Sequence, residues 1–410
     1  MKIVTKYFRR YRMVIALIVL FIYAGSTMCK NVIDKKYNKV AEVYGANENY
    51  IGSPSCNSCH KEIYDGYLAT AHYNTSAVMG NSKIIKRYSY SDTVFYTSKL
   101  FINVHQQGDT IYQTAYSNGR MAAAHPMNIV FGSGKKGQTF LFWNESSLYQ
   151  LPLSYSFVHN QWINSPGYPA DKVMFNRVIP VKCFECHATY ADEKINDNGK
   201  PVFDSSRLVL GISCETCHGP GKNHIEYHKK NPADKNARFI INTAKLSRQQ
   251  ELDACANCHS GIRENIKPAF SFLPGDKLDD FFKPGYNKDS TSVLDVHGNQ
   301  YGLLTASKCF KQSLTLNCSS CHNAHVKETN QLQVYAQRCM NCHNESSNSF
   351  CTVKNVEKHV LMSKCIDCHM PMQASNQITF NEGNKKAVVN ESIRTHLIRI
   401  YKDNGGTVFK

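Results

Sequence analysis

Residues 214–224 read Cys-Glu-Thr-Cys-His-Gly-Pro-Gly-Lys-Asn-His, and their first five residues hold the pattern that decides the fold. Two cysteines are separated by two residues, and a histidine directly follows the second cysteine. This pattern occurs seven times and uses 14 of the 17 cysteines. The copies are Cys56, Cys59 and His60; Cys183, Cys186 and His187; Cys214, Cys217 and His218; Cys255, Cys258 and His259; Cys318, Cys321 and His322; Cys339, Cys342 and His343; Cys365, Cys368 and His369.

The repeated pattern is the attachment signature of c-type haem. The two thiols form thioethers with the haem, and the adjacent histidine is then held against the iron as an axial ligand. Zinc ribbons and thioredoxin-like sites also use C-x-x-C pairs, but neither requires a histidine after the second cysteine. Only 17 of the 410 residues are histidines, so seven adjacent histidines are not a coincidence. The sequence predicts seven covalent haems c.

An electron-carrying haem needs a second strong axial ligand, usually histidine or methionine. Ten histidines lie outside the motifs, so the supply exceeds seven without proving complete bis-histidine ligation. We expect distal ligands at His72, His125, His224, His297, His325, His359 and His396. We expect His105, His159 and His228 to be solvated or hydrogen-bonded side chains, with His228 as an alternate to His224.

The positions of three distal candidates support their assignment. Ile63, Tyr67 and Ala71 recur every four residues, which predicts a helix that leads from the first motif to His72. His224 follows a Gly-Pro-Gly turn that redirects the chain. His325 lies three residues after His322, too close to reach the far face of the same haem, so it should serve a neighbouring haem.

The motif spacing predicts the domain organisation. We expect a first haem module at 45–87, a β-rich insertion at 88–177 and a six-haem domain at 178–410. In the insertion, hairpins are predicted where LFINV and TIYQTAY flank QQGD, and where TFLFW and LYQLPL flank residues 144–147. Elsewhere we expect mainly short α-helices and loops around a haem core, including helices that run into CANCH and CMNCH. Ser247 and Gln250 predict a capping box for the first of these.

The first 28 residues have the layout of an export signal, with a basic start, an apolar run from Met13 to Ala24 and small residues after it. Cys29 occupies the position of a lipoprotein cysteine, although Met28 is a poor match to such a signal. Lipidation, simple cleavage and a retained membrane anchor remain open. We expect a periplasmic or outer-face, membrane-associated location.

The formal net charge of +16 would ordinarily indicate a nucleic acid or an anionic membrane as partner. Here the lysines and arginines are expected to balance haem propionates, and there is no nucleic-acid motif. Besides Cys29, Cys309 and Cys351 lie outside the motifs. In an oxidising compartment such a pair favours a disulfide over two free thiols.

The chain resembles the multihaem cytochrome c family related to cytochrome c-554, within the wider group of pentahaem nitrite reductases and octahaem hydroxylamine oxidoreductases. The residues that carry the resemblance are GSPSCNSCHKEIYDGYLATAH at 52–72, CETCHGPGKNH at 214–224, NCSSCHNAH at 317–325 and CIDCHMP at 365–371. The resemblance implies stacked and perpendicular haem pairs. It also implies bis-histidine ligation by the residues matching His72, His224, His325, His359 and His396.

The departures from that group bear on function. The nitrite reductases replace the motif histidine of the catalytic haem by lysine, whereas all seven motifs here end in histidine. A tyrosine cross-link of the hydroxylamine-oxidising type stays open among 23 tyrosines. We therefore expect an electron-transfer protein with redox partner proteins as donor and acceptor, and no catalytic residue is assigned. The alternatives are a haem enzyme acting on a small nitrogen or sulfur compound at one five-coordinate haem, and a scaffolding subunit whose β insertion docks a partner.

Overall fold

A computed structural model describes residues 49–80, 91–283, 294–328, 332–347, 349–354, 356–381 and 388–401. The predicted export signal and Cys29 lie outside these residues. Within them, no helix combines the length and the apolar character needed to cross a membrane.

The described part of the chain contains 16 strands, all short and all paired antiparallel. They are β1 (Ser76–Val78), β2 (Ser91–Phe95), β3 (Leu100–Gln107), β4 (Thr110–Ser117), β5 (Arg120–Pro126), β6 (Ile129–Phe131), β7 (Gly137–Asn144), β8 (Ser147–Ser156), β9 (Gln161–Asn164), β10 (Arg177–Val178), β11 (Ala188–Tyr190), β12 (Glu193–Ile195), β13 (Pro201–Phe203), β14 (Val209–Leu210), β15 (Met372–Asn381) and β16 (Val388–Arg394).

Two larger sheets lie mainly between the first and second motifs. Strands β2 to β5 form a four-stranded meander in sequence order. A six-stranded sheet has the order β1-β6-β7-β8-β10, with β9 also pairing with β8. Three hairpin-like pairs, β11 with β14, β12 with β13 and β15 with β16, accompany the later motifs.

Both predicted hairpins are confirmed. Strands β3 and β4 pair up to Gln107 and Thr110, and the turn between them contains Gly108 at φ 59°. Strands β7 and β8 pair up to Asn144 and Ser147, with Glu145 at φ 54° in the two-residue turn. Positive φ at the first turn position suits the primed turns that match the twist of a hairpin.

The helices are short. They are α1 (Lys61–Tyr67), α2 (Val181–His187), α3 (Cys214–His218), α4 (Lys222–Lys230), α5 (Arg248–His259), α6 (Gln300–Ala306), α7 (Lys308–Gln312), α8 (Leu332–Met340), α9 (Lys358–Ser363) and α10 (Cys365–His369). The capping box of Ser247 and Gln250 is present at the start of α5. The predicted helices into CANCH and CMNCH correspond to α5 and α8.

The helix after the first motif is shorter than predicted. It ends at Tyr67 and does not continue to His72. The Thr70 hydroxyl donates to the Tyr67 carbonyl, and the Asn74 amide donates to the carbonyls of Leu68 and Thr70. These side chains satisfy carbonyls that a longer helix would pair with its own backbone. The periodicity of apolar residues gave no sign of that competition.

The apolar core is concentrated in the β-rich part of the chain. Its largest cluster joins the two sheets through fully buried side chains such as Ile102, Val104, Phe140 and Leu153. A second cluster packs Phe184 of α2 against β6, β7 and β8. Only one small further cluster is found near the later motifs in the described residues, around Ala256 of α5. Within the described residues, the segments that carry the third to seventh motifs therefore have little apolar core of their own.

A buried glutamine also joins the two sheets. Gln113 of β4 is 0% exposed, and its amide donates to the carbonyl of Leu153 and accepts from the N–H of Leu153. The two distances are 2.8 and 2.9 Å. One side chain thus satisfies both backbone groups of a residue on the facing sheet, so that neither the N–H nor the carbonyl of Leu153 is left unpaired.

Candidate haem sites

Each motif forms a single tight turn that groups its three functional side chains. The N–H of His60 donates to the Cys56 carbonyl, and the N–H of His322 donates to the Cys318 carbonyl, at 3.0 and 2.9 Å. The motifs of α2, α3, α5 and α10 lie in helical turns with the same spacing. Because side chains four residues apart share one face of a helical turn, the first thiol and the imidazole point the same way. This arrangement suits attachment of one porphyrin and ligation of its iron.

The motif histidines are held through their Nδ1 atoms. Six of the seven have an Nδ1 partner at 2.8 to 3.3 Å, and a metal-bound histidine characteristically donates its other ring N–H in this way. With Nδ1 as donor, the Nε2 lone pair is left for a metal. The partners are Thr75 Oγ1 for His187, the Ile241 carbonyl for His218, Gln300 Oε1 for His259, Glu328 Oε2 for His322, the Ser349 carbonyl for His343 and the Arg399 carbonyl for His369.

Four motif histidines face a histidine from outside the motifs across a gap of constant width. The ring centroids are 6.5 Å apart for His60 and His224, 6.1 Å for His72 and His259, 6.1 Å for His218 and His325, and 6.2 Å for His322 and His396. Two imidazoles that ligate one metal from opposite sides, each bond being about 2 Å, have their ring centres about 6 Å apart. The four pairs therefore fit a haem iron between them.

Two histidines of these pairs, one exposed and one half-buried, are poised to be neutral. Burial lowers the pKa of His72 to about 4, with smaller contributions from the charges of His259 and His322. Burial also lowers the pKa of His396 to about 4. Neutral imidazole is the form that ligates a metal. Among the described residues there is no group of three or more histidine, cysteine, aspartate or glutamate side chains that could hold a bare metal ion. The pairwise arrangement suits a haem iron.

The structure does not bring the other three expected distal ligands against a motif histidine ring. His297 is close enough to His187 for the two charges to interact. His359 lies on α9, and its Nδ1 is 3.0 Å from Glu357 Oε2. His125 lies between the rings of Phe142 and Phe175 in the β-rich part, at 4.1 and 4.8 Å, where aromatic packing accounts for it. Ligation by His125 therefore has no support from the geometry.

The histidines expected to have no ligand role are placed as follows. His105 stacks on Tyr112 across β3 and β4, and His159 makes an edge contact with Phe380 of β15. His228 lies one helical turn after His224 on α4, and the two ring centroids are 4.6 Å apart. It remains the alternate to His224 that the sequence indicates.

Cysteines of different motifs lie in direct contact. The Cys56 and Cys214 thiols share a hydrogen bond that raises the pKa of Cys56 and lowers the pKa of Cys214 to about 7. A second hydrogen bond of this kind joins Cys186 and Cys258, and it raises the pKa of Cys258. These contacts join the first motif to the third, and the second to the fourth.

The fourth motif also contacts the fifth. A hydrogen bond from Cys318 raises the pKa of Cys255, which is further raised by burial. Weaker charge interactions between cysteines link the fifth motif to the sixth and the sixth to the seventh. Burial raises the pKa of Cys321 and of Cys339, with added effects of Cys342 on the former and of Cys365 on the latter. The fifth, sixth and seventh motifs thus follow one another in space as they do in sequence.

Cys309 and Cys351 are free thiols, so the disulfide favoured by the sequence is wrong for this structure. The charge neighbours of Cys309 include Cys342, whereas Cys351 acts on Cys365 and Cys368 of the seventh motif. Each cysteine thus lies beside a different motif. The even number of leftover cysteines carried no information about their separation in space.

One structural carboxylate was missed by the sequence reasoning. Glu215 occupies a variable position of the third motif and is 1% exposed. It accepts hydrogen bonds from the N–H groups of Ile51, Gly52 and Gly221. It thereby fastens the chain before the first motif to the turn after the third. A charged residue just before Gly219-Pro220-Gly221 was the only signal, since a turn of this kind exposes backbone donors.

The β-rich part positions the second motif. Phe131 of β6 stacks on the His187 ring with centroids 4.9 Å apart, and the Ser76 hydroxyl of β1 donates to the His187 carbonyl. The same hydroxyl oxygen accepts a hydrogen bond from the N–H of Gly211. At φ 72°, a Cβ on Gly211 would lie 2.4 Å from the Tyr73 carbonyl oxygen. Only glycine fits this close approach.

Comparison with known proteins agrees with the motif chemistry. The sequence model of the family described as cytochrome c554 and c-prime matches residues 170–219, which include the second and third motifs. The multiheme cytochrome MtrA of Shewanella baltica (strain OS185) is 24% identical over 196 residues, which are 46% of this chain and 51% of that protein. The chain thus spans about half the length of this curated relative.

The fold has a counterpart among solved structures. The crystal structure of the outer cell wall cytochrome OcwA matches with a TM-score of 0.52 and covers 86% of this chain and 80% of that chain. The sequence identity is 16%, so this likeness concerns the fold alone.

Proposed function

We propose that this chain, a multihaem c-type cytochrome, is a conduit that carries electrons through seven covalently attached and mostly bis-histidine haems. When bound, each haem takes up and releases one electron. The residues of the chain hold the cofactors, supply axial ligands and set the order in which they adjoin. No described residue needs a catalytic role for this function.

The four histidine pairs are the observation that carries the proposal. Each pair combines one motif histidine with one histidine from elsewhere, at a spacing that suits two axial ligands. Such an iron is closed to substrates and changes little when it gains or loses an electron, which suits transfer and not catalysis. We assign His297 and His359 as distal ligands of two of the three remaining haems, on the strength of the sequence and, for His297, of its nearness to His187.

The contacts between motifs support a definite path. The order first–third–fourth–fifth–sixth–seventh runs through neighbouring cysteines, and the second motif joins at the fourth. Three haems then form ends, those of the first, second and seventh motifs. Redox partner proteins would exchange electrons at these ends, which makes the fourth haem the branch point.

We also propose export, because haem attachment of this kind takes place outside the cytoplasm and the first 28 residues have the layout of an export signal. Anchoring through Cys29 or through the retained N-terminal segment would keep the protein at the outer face of a membrane. Mass spectrometry of the mature N-terminus distinguishes cleavage, lipidation and retention.

The test of the conduit is carbon monoxide binding to the dithionite-reduced protein, followed by absorption spectroscopy. Carbon monoxide needs an iron position that is open or easily opened. We expect no spectral change, because a pure conduit requires a firmly held sixth ligand on every haem, including the one for which no distal histidine is assigned. A change equivalent to about one haem in seven would contradict a pure conduit.

One observation favours a second candidate, a haem enzyme acting on a small nitrogen or sulfur compound at the second motif. His187, like His343 and His369, faces no second histidine ring among the described ring contacts, so its iron would be open to a substrate if His297 does not ligate it. The charges of Lys182 and Arg263 act on Cys186, so cations are available to stabilise an anion there. Turnover of nitrite, hydroxylamine or a sulfur oxyanion with a carbon monoxide-sensitive haem would support this candidate. Inactivity towards all of them would remove it.

A further inference from the structure

The fifth motif histidine has an Nδ1 partner unlike that of the others. His322 Nδ1 lies 2.9 Å from Glu328 Oε2. The other five described partners are neutral: three carbonyls, one hydroxyl and one amide oxygen. A carboxylate draws the Nδ1 proton towards itself, which raises the basicity of the imidazole as a metal ligand.

The carboxylate is built into its place. The Glu328 side chain is 10% exposed, and its Oε1 accepts from the Asn323 N–H and from Arg338 at 2.8 and 3.0 Å. Tyr335 donates its hydroxyl to Oε2 at 3.0 Å, the same oxygen that faces His322. All four groups around its two oxygens are donors, which is the environment that suits an ionised carboxylate.

We propose that Glu328 is a positioning residue that lowers the reduction potential of the fifth haem by giving His322 the character of an imidazolate. A more basic, more negative axial ligand stabilises ferric over ferrous iron, and hydrogen bonding and net charge around the ligands are the levers that set haem potentials. Arg338 offsets part of the charge from the Oε1 side, while Oε2 remains directed at His322.

This inference rests on the proposed conduit and deepens it. The fifth motif lies between the fourth and the sixth in the proposed path. Electron transfer onto a haem of low reduction potential at this position would be thermodynamically unfavourable. Electrons would then collect in two groups, on the first four haems and on the sixth and seventh, and the fifth would limit passage between them.

The experiment uses two variants with opposite expected effects. Glu328→Gln keeps an acceptor for Nδ1 but removes the charge, so one of the seven one-electron components in a potentiometric titration should move to higher potential. Tyr335→Phe removes the hydroxyl that competes for Oε2, so the same component should move to lower potential. Glu264→Gln is the control, because it removes a carboxylate that is 69% exposed and pairs with Lys283 at the surface.

The ligand bond itself supplies a readout specific to this haem. In a His396→Ala background, the ferrous fifth haem should be five-coordinate, and its iron–histidine stretching band becomes visible by resonance Raman spectroscopy. Adding Glu328→Gln should lower that frequency, and adding Tyr335→Phe should raise it. A role in packing alone predicts no such pair of opposite shifts.

Unchanged potentials in both variants, or shifts in the same direction, would overturn the assignment of Glu328. If Glu328→Gln does not assemble, Tyr335→Phe alone decides, since it retains the carboxylate. If His396→Ala opens no haem, the axial pairing of His322 and His396 is wrong, which bears on the proposed function. The potentiometric comparison still decides the role of Glu328 in that case.

Discussion

Replacing Glu215 by alanine should release the chain in front of the first motif. The buried carboxylate accepts from the N–H groups of Ile51, Gly52 and Gly221 at 2.9, 2.7 and 2.9 Å. Leaving a buried donor without a partner costs about 1–3 kcal/mol. Water reaches the released, partly exposed segment, so we take about 3 kcal/mol in total for the three donors. Since 1.4 kcal/mol is a factor of ten, local opening should become about 100-fold more frequent.

The assay is native-state hydrogen exchange of the haem-loaded protein, read by mass spectrometry on peptides that cover residues 49–56. Glu226→Ala is the matched control, because it removes the same charge from an exposed position on α4. We expect faster exchange in this segment for Glu215→Ala only, and a smaller effect for Glu215→Gln, which keeps one acceptor oxygen. Unchanged protection in Glu215→Ala would refute the reasoning, since it would mean that the three donors do not depend on the carboxylate.

Three further predictions follow from the geometry. His72→Ala should convert about one haem in seven to a high-spin, carbon monoxide-binding form by absorption spectroscopy, while His105→Ala should leave the spectrum unchanged because His105 only stacks on a sheet tyrosine. Gln113→Ala should lower the free energy of unfolding of the β-rich part by about 2–4 kcal/mol in guanidinium titrations followed by circular dichroism, because both backbone groups of Leu153 lose their partner. Gly211→Ala should lower the yield of haem-loaded protein in pyridine haemochrome assays, and a normal yield would show that the Tyr73 carbonyl can move.

Local features of this fold could be predicted from the sequence. The capping box of Ser247, the helix into CMNCH and both hairpins depend on residues within a few positions of each other. The motif turns are equally local, since three of them close through a hydrogen bond from the histidine N–H to the carbonyl of the first cysteine and the other four lie in helical turns. The end of the first helix at Tyr67 was not predicted, because Thr70 and Asn74 bind carbonyls that a longer helix would use, and apolar periodicity does not record that competition.

The pairing of histidines could not be read from the sequence. His72 follows the first motif but faces His259 of the fourth, and His396 faces His322 from near the end of the chain. Such partners are chosen by the packing of whole segments, which no local pattern encodes. The same holds for Glu328, whose position six residues after His322 is unremarkable until the loop between them brings its carboxylate to Nδ1.

The histidine pairs also imply an order in which the two members of each pair are synthesised. A chain made from its N-terminus presents the first motif long before His224, its facing histidine, and the fifth motif long before His396. The fourth motif is the reverse case, because His72 has already been made when His259 emerges. During maturation some irons would therefore be five-coordinate and reactive while the remaining chain is awaited. Closing each pair also ties together segments that lie far apart in sequence.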